Sequence, residues 1–371
     1  MVGLLSPHLK EGGPLIGRTL FLPTSLTIVV AAVASFLVWG LVLAYASSPA
    51  QAAQLTVNSA ADTTDSDGCT ADSGGCTLRE AINAANASTG VEDTITFNLV
   101  SPATITLGSQ LPVITDSAGL IIDGGSANIT VSGNRNGSFI NGVRVFQVES
   151  GAKLTLNNLT VANGNAGEGG GIHNAGTLTV SNSTLSGNLA GLGGGIYNQG
   201  TLTVSNSTLS GNSANFVGGI YNLGTLTVNN STISRNTAFI EIGGIYGSPA
   251  TTTTTTLKNT IVANNTEGSP KGENCSGNIT DGGYNLDSGT SCGFTTLNNS
   301  RSSANPRLGP LADNGGPTMT IKLLRRSPAL NAIPKATNGC GTEITTDQRG
   351  VSRPQGKRCD IGAFEKKVRR R

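Results

Sequence analysis

Charge is scarce in this chain: 12 % of its 371 residues are Asp, Glu, Lys or Arg, whereas glycine alone contributes 51. Those two figures by themselves describe a disordered polymer, but Ile, Leu and Val recur periodically and exclude that reading. Histidine is scarcer still, being confined to His8 and His173. With no C-x-x-C pair anywhere, a structural zinc site is excluded and no metal ligand is assigned. Aromatics make up 4 %, and none is interleaved with the basic residues, so the stacking platforms that nucleic-acid binding requires are missing. Helical patterning after the first 52 residues is confined to one short run.

What the chain has in abundance is repetition. It reads GGGIHNAGTLTVSNSTLSGN from Gly169, GGGIYNQGTLTVSNSTLSGN from Gly193, GGIYNLGTLTVNNSTISRN from Gly218 and GGIYG from Gly243. Ile172 recurs as Ile196 and Ile220 at intervals of 24, and as Ile245 after 25, which is the period of a stacked array. Inside a repeat Leu178 and Val180 alternate with Thr177, Thr179 and Ser181, a period of two and therefore strand. Three strand pieces, GIHN, TLTVS and STLS, are separated by turn formers at Ala175-Gly176, Asn182 and Gly187-Asn188. Such a unit is one coil of a parallel β-helix, and only stacking about 4.8 Å apart lets it bury Ile172, Leu178, Val180 and Leu185. Ile172, Ile196, Ile220 and Ile245 are expected in one buried column, and Leu178, Leu202 and Leu226 in another. Asn174, Asn198 and Asn222 should stack with their amides bonded along the axis, as should Asn182, Asn206 and Asn230.

Residues 1–52 read as an export signal. Ser25 to Ala46 run 22 residues without a charge, enough to span a bilayer, and SSPAQAA then offers a small-x-small cleavage site. Cleavage after about Ala52 is expected; if uncleaved, residues 25–46 would hold the chain in a membrane. Six cysteines follow, in near-neighbour pairs, and in an exported chain these read as disulfides Cys69–Cys76, Cys275–Cys292 and Cys340–Cys359. Residues 53–321 carry nine basic and seventeen acidic side chains, a balance of minus 8, whereas 322–371 carry thirteen and four, a balance of plus 9. The end KKVRRR reads as a solvated tail that can also meet an anionic surface.

Residues 53–93 form an N-terminal cap. In CTLREAINAAN (76–86) the positions Leu78, Ala81, Ile82 and Ala85 share one helical face, and Thr77 with Glu80 makes a T-x-x-E capping box. A short helix here would cover the open end of the solenoid. The run resembles the CSLREA-type motif of bacterial surface proteins, followed as in that family by Asp93-Thr-Ile-Thr-Phe97. The coils of 94–300, clearest over 169–245, resemble the GGxI repeats of right-handed β-helix proteins, and more loosely those of polymorphic outer-membrane proteins, whose FxxN half is missing here. From 301 to 371 the strings NPRLGPLADNGGPTMTIKLL, TDQRG, RPQG and DIGAFE resemble the choice-of-anchor module of exported bacterial β-helix proteins, although Arg326-Ser-Pro-Ala-Leu-Asn331 departs from that family's Gly-Ser-Pro-Ala-Ile-Asp. Altogether the sequence implies an all-β, right-handed, single-stranded parallel β-helix of nine to eleven coils between residues 94 and 300, with an axis of about 45 to 50 Å.

If Ile172 points inward, its neighbour points outward, and His173, Tyr197, Tyr221 and Tyr246 fall in one exposed column able to hold sugar rings or to stack on itself. The outward T-x-T pairs (Thr177/Thr179, Thr201/Thr203, Thr225/Thr227) cover only three rungs. Architecture also resembles pectate-lyase-like enzymes, which need a carboxylate cluster for Ca²⁺ with an Arg or Lys base. Only Asp123, Arg135, Arg144, Glu149 and Lys153 are dense enough to consider, with Glu168, Arg235 and Glu241 in turns, and all read as solvated charges. No catalytic residue is assigned. The sequence therefore points to a secreted or cell-surface monomer with a non-enzymatic binding, adhesin-like or structural role toward glycans or another cell surface. It needs no cofactor and binds no nucleic acid. The alternative is a polysaccharide lyase, the one case in which Ca²⁺ would be required.

Overall fold

The computed structural model describes residues 52–64, 69, 75–88, 90–134, 142–266 and 273–367. The predicted export segment, Arg135 and the tail from residue 368 lie outside the described residues. Among those described, no helix is long and apolar enough to cross a membrane.

Four parallel sheets run along the axis, and each coil from Phe146 to Ala238 contributes one strand to every sheet. The repeat at Ile172–Asn174, Thr177–Ser181, Thr184–Ser186 and Leu189–Leu192 shows the order. Thr177–Ser181 belongs to a first sheet of nine strands and Thr184–Ser186 to a second of eight. Leu189–Leu192 joins a third of four and Ile172–Asn174 a fourth of six. Registers follow the sequence period: Thr177, Leu178, Thr179, Val180 and Ser181 pair with Thr201, Leu202, Thr203, Val204 and Ser205, and Ile172 pairs with Ile196. The fold is a parallel β-helix. Its coil has four strands rather than the three predicted, because the Asn-Leu-Ala and Asn-Ser-Ala stretches that look like turn also pair along the axis.

The predicted apolar columns are buried. Ile172, Ile196, Ile220 and Ile245 are fully enclosed, as are Leu178, Leu202 and Leu226, each worth about 1.5 to 3 kcal/mol relative to exposure. The coil count is lower than predicted. The first sheet already includes Gln54–Val57, which leaves eight of its strands within 94–300, and eight spacings of about 4.8 Å give an axis of about 38 Å. The irregular early coils hold longer connections than the 24-residue period allows, so fewer rungs fit.

Two kinds of side chain make the corners. Asn182, Asn206 and Asn230 adopt φ of 51, 48 and 47°, the left-handed region that Asn tolerates better than most residues. At the opposite edge of the first sheet a Cβ on Gly200 would collide with the Gly176 carbonyl oxygen, so that corner admits no side chain. Inside, Asn174 donates to Asn198 Oδ1 at 2.7 Å and Asn198 to Asn222 Oδ1 at 2.6 Å, the ladder the sequence predicts. The second predicted ladder does not form: Asn182 donates to Asn157 and Asn206 to the carbonyl of Thr346. At left-handed corners these amides point outward, toward other partners. The longer ladder is elsewhere, where Asn188, Asn212, Asn236, Asn265 and Asn274 donate in succession and end on Asp287.

Helix α1 (Leu78–Ala87) begins with the predicted capping box, Thr77 with Glu80, and buries Leu78, Ala81, Ile82 and Ala85. These join one core with Val57, Ile95 and Ile105. Arg79 pairs with Asp62 at 2.8 Å. All three predicted disulfides are formed.

The C-terminal residues run back over the outer face of the second sheet as a strap. Asn338 donates to the Gly282 carbonyl, the Ala363 amide to Thr232 Oγ1, and Gln348 Nε2 to Thr184 Oγ1. The strap carries its own apolar cluster, in which Leu323, Ala329, Ile333, Ile361 and Phe364 pack with Ile261 of the coil. The TDQRG, RPQG and DIGAFE strings are its polar fastening. Arg353 is buried, donates to the Asp360 and Gly362 carbonyls and lies 3.7 Å from Glu365; Arg349 pairs with Asp347 at 2.6 Å and sits 3.6 Å over the Phe364 ring.

Candidate functional site

The fourth sheet places Gln147, His173, Tyr197, Tyr221, Tyr246 and Ser276 in one register column. A strand of three residues with an inward Ile forces its middle residue outward, and identical registers superpose those middle residues rung after rung. Ring centroids are 5.2 Å apart for His173 and Tyr197, 5.5 Å for Tyr197 and Tyr221, and 4.9 Å for Tyr221 and Tyr246. The first two pairs are stacked and the third is tilted by 31°, so the faces within the column are largely occupied by one another. Contrary to the predicted exposed column, Tyr197 is only 4 % exposed, because His173 and Tyr221 cover its two sides. What the column presents outward is a line of ring edges and hydroxyls.

Polar groups collect at its foot. Arg144 donates to the Glu168 carbonyl at 3.0 Å and to Gln147 Oε1 at 2.6 Å, and reaches Gln110 Oε1 at 3.2 Å. Gln147 in turn donates to Glu149 at 3.1 Å. His173 Nε2 lies 3.6 Å from the Glu168 carboxylate. Burial, then the neighbouring Arg144, hold the imidazole below its usual range despite Glu168 and Glu149, so the contact joins a neutral ring to a carboxylate and is no ion pair at pH 7. Burial also lowers the Arg144 guanidinium, with Glu168 opposing. The Tyr197 and Tyr221 phenols are pushed up by burial first and by nearby Glu168 or Tyr246 next, so both keep their protons.

Of the charged residues singled out from sequence, the structure brings Arg144, Glu149 and Glu168 to this foot. Asp123 is elsewhere, accepting from Gly125 and Asn158, and Lys153 is exposed on the first sheet. Arg235 reaches the Leu308 carbonyl of the strap, and Glu241 faces Tyr221 closely enough to raise its phenol. Gln110 and Gln147 were missed. Only the register would have found Gln147, since its coil lacks the GGxI signature. The T-x-T array has four rungs rather than three, because Thr254 and Thr256 pair with Thr225 and Thr227 across an insertion that breaks the 24-residue spacing. Among the described residues no three His, Cys, Asp or Glu side chains come together as a metal-ligating group.

No family model matches the chain, and no curated protein matches it. Among solved structures it is similar to the crystal structure of pectate lyase Pel9A, at 12 % identity and a TM-score of 0.45, over 86 % of this chain and 98 % of that one. The assignment of a parallel β-helix stands on the sheet registers themselves.

Proposed function

We propose that this β-helix is an exported, non-enzymatic binding protein, and that its ligand is a surface glycan lying along the outer edge of the His173–Tyr246 column. The observation that carries the reading is the register, which sets six polar or aromatic side chains in one line. Protonated phenols can donate to sugar hydroxyls along that line, and the Arg144, Gln147 and Glu168 cluster supplies donors and acceptors at its foot. Export and disulfides fit a role outside the cell.

The lyase alternative draws support from one group, the desolvated Arg144 beside Glu168. Its guanidinium is already committed to three acceptors, and among the described residues no three His, Cys, Asp or Glu side chains come together to hold Ca²⁺. The test uses the full-length chain on a glycan array, together with an assay for unsaturated products in Ca²⁺. Tyr221→Phe with Tyr246→Phe should leave the melting transition nearly in place and weaken attachment at least tenfold, about 1.4 kcal/mol. Unchanged attachment would make the column structural, and unsaturated products abolished by Arg144→Ala would replace binding with the lyase.

A further inference from the structure

The second sheet continues beyond the strap. Its outward column runs Thr104, Thr130, Thr160, Thr184 and Thr208 in register, and the strap seals the last two. Between the first three and the hairpin at 313–319 lies a cavity of about 220 Å³. Its walls are Pro102, Thr104, Asn128, Thr130 and Thr160 on the coil side, with Asp313, Pro317 and Met319 facing them. Here we infer a binding pocket for one sugar ring, neutral or amino-substituted, at the end of a glycan chain.

Size, chemistry and rigidity each point the same way. Liquid water takes about 30 Å³ per molecule, so the cavity holds about seven waters, or one ring of about a dozen bonded heavy atoms. Thr160 as a residue is buried, at 5 % exposure, its hydroxyl oxygen remains accessible, and among the described residues it has no partner, nor do the Thr104 and Thr130 hydroxyls or the Asn128 side-chain amide. Hydroxyls that no protein group engages are free to bond a ligand without breaking an internal hydrogen bond. The three threonines stand about 4.8 Å apart, a ladder whose spacing suits hydroxyls on alternate ring carbons. Pro102, Pro317 and Met319 offer apolar surface to the ring's C–H face. Asp313 is the one charged lining residue. Its Oδ1 accepts from Gly315, leaving Oδ2 to accept from a sugar hydroxyl or ammonium and to repel a uronate.

The opposing wall is held firmly. The Met319 carbonyl accepts from Thr184 at 2.6 Å and from Gln348 at 3.2 Å, while Asn314 ties the hairpin to Thr320. The pocket is therefore preformed, which lowers the entropic cost of binding.

Methyl glucoside, methyl galactoside, glucosamine and galacturonate are the probes, each titrated against the full-length chain by saturation-transfer NMR. At least one neutral or amino sugar should bind, with galacturonate at least fivefold weaker. Thr160→Val, which keeps the shape, should weaken that sugar at least fivefold with the melting transition unmoved, and Asp313→Asn should remove the discrimination against galacturonate. No transfer to any sugar, or Thr160→Val binding like the parent, overturns the pocket. The inference shares only its ligand class with the proposed function. Tyr221→Phe with Tyr246→Phe should leave these affinities unchanged, so a glycan signal lost in the column variant alone would sink the pocket and leave the column reading intact.

Discussion

Gln348 Oε1 accepts from Thr208 Oγ1 at 2.6 Å although 140 residues separate them. The same side chain donates to the Ser183 carbonyl, Thr184 Oγ1 and Thr318 Oγ1, so one buried amide fastens the strap to two successive rungs. Gln348→Ala leaves those partners unsatisfied at a cost of about 2 to 3 kcal/mol. The loss should be local, since Leu178, Leu185, Leu202 and Leu209 of these rungs lie in a core that holds no strap residue. Hydrogen exchange should quicken over 305–365 while the amides of Thr177–Ser181 keep their protection.

Burial, then the neighbouring Asp360, push the Glu365 carboxyl up to about 7 from 4.5, with Arg353 opposing. Asp360 is raised as well, again by burial. A carboxyl whose folded value lies above its unfolded one adds stability that is complete below about pH 4.5 and is lost as pH rises through about 7, here at most about 3 kcal/mol. Between pH 4.5 and 7.5 the parent should therefore lose stability more steeply than Glu365→Gln. Denaturant melts of both at several pH values check this; parallel curves would contradict it.

The buried amide ladder makes a sharper demand. Asn212 accepts from Asn188 and donates to both Asn236 and the Leu185 carbonyl. Asn212→Ala strands groups on three neighbouring positions, and a loss of about 3 kcal/mol in urea unfolding is expected.

Corner asparagines behave differently because their requirement is in the backbone. At φ 51°, Asn182→Ala should be less stable than Asn182→Gly by about 1 kcal/mol, both having lost the same bond to Asn157. Equal stabilities would show that the left-handed corner exerts no strain.

The Cys340–Cys359 bridge joins strap positions 19 apart in sequence. Replacing both by Ser should cost about 3 kcal/mol on the chain-entropy estimate, measured as an earlier loss of the strap to limited proteolysis under conditions where the coils remain intact.

The 24-residue repeat with alternating Leu, Val and Thr determined the parallel coil, the Ile172 and Leu178 columns and the Asn174–Asn198–Asn222 ladder, because each depends only on direction along a strand and on identical registers. Neighbouring cysteines determined their own pairing for the same local reason, and Thr77 with Glu80 determined where α1 starts. Tertiary structure alone decided the rest. Tyr197 is buried because the rings above and below it close on its faces, a contact between coils that outward direction does not specify. The threonine array gained its fourth rung across an insertion that hides the period. TDQRG and DIGAFE are a fastening only because the strap folds back across the second sheet, bringing Gln348 to Thr208 and Glu365 to Arg353; no local pattern encodes a partner that the chain reaches only after the whole solenoid is built.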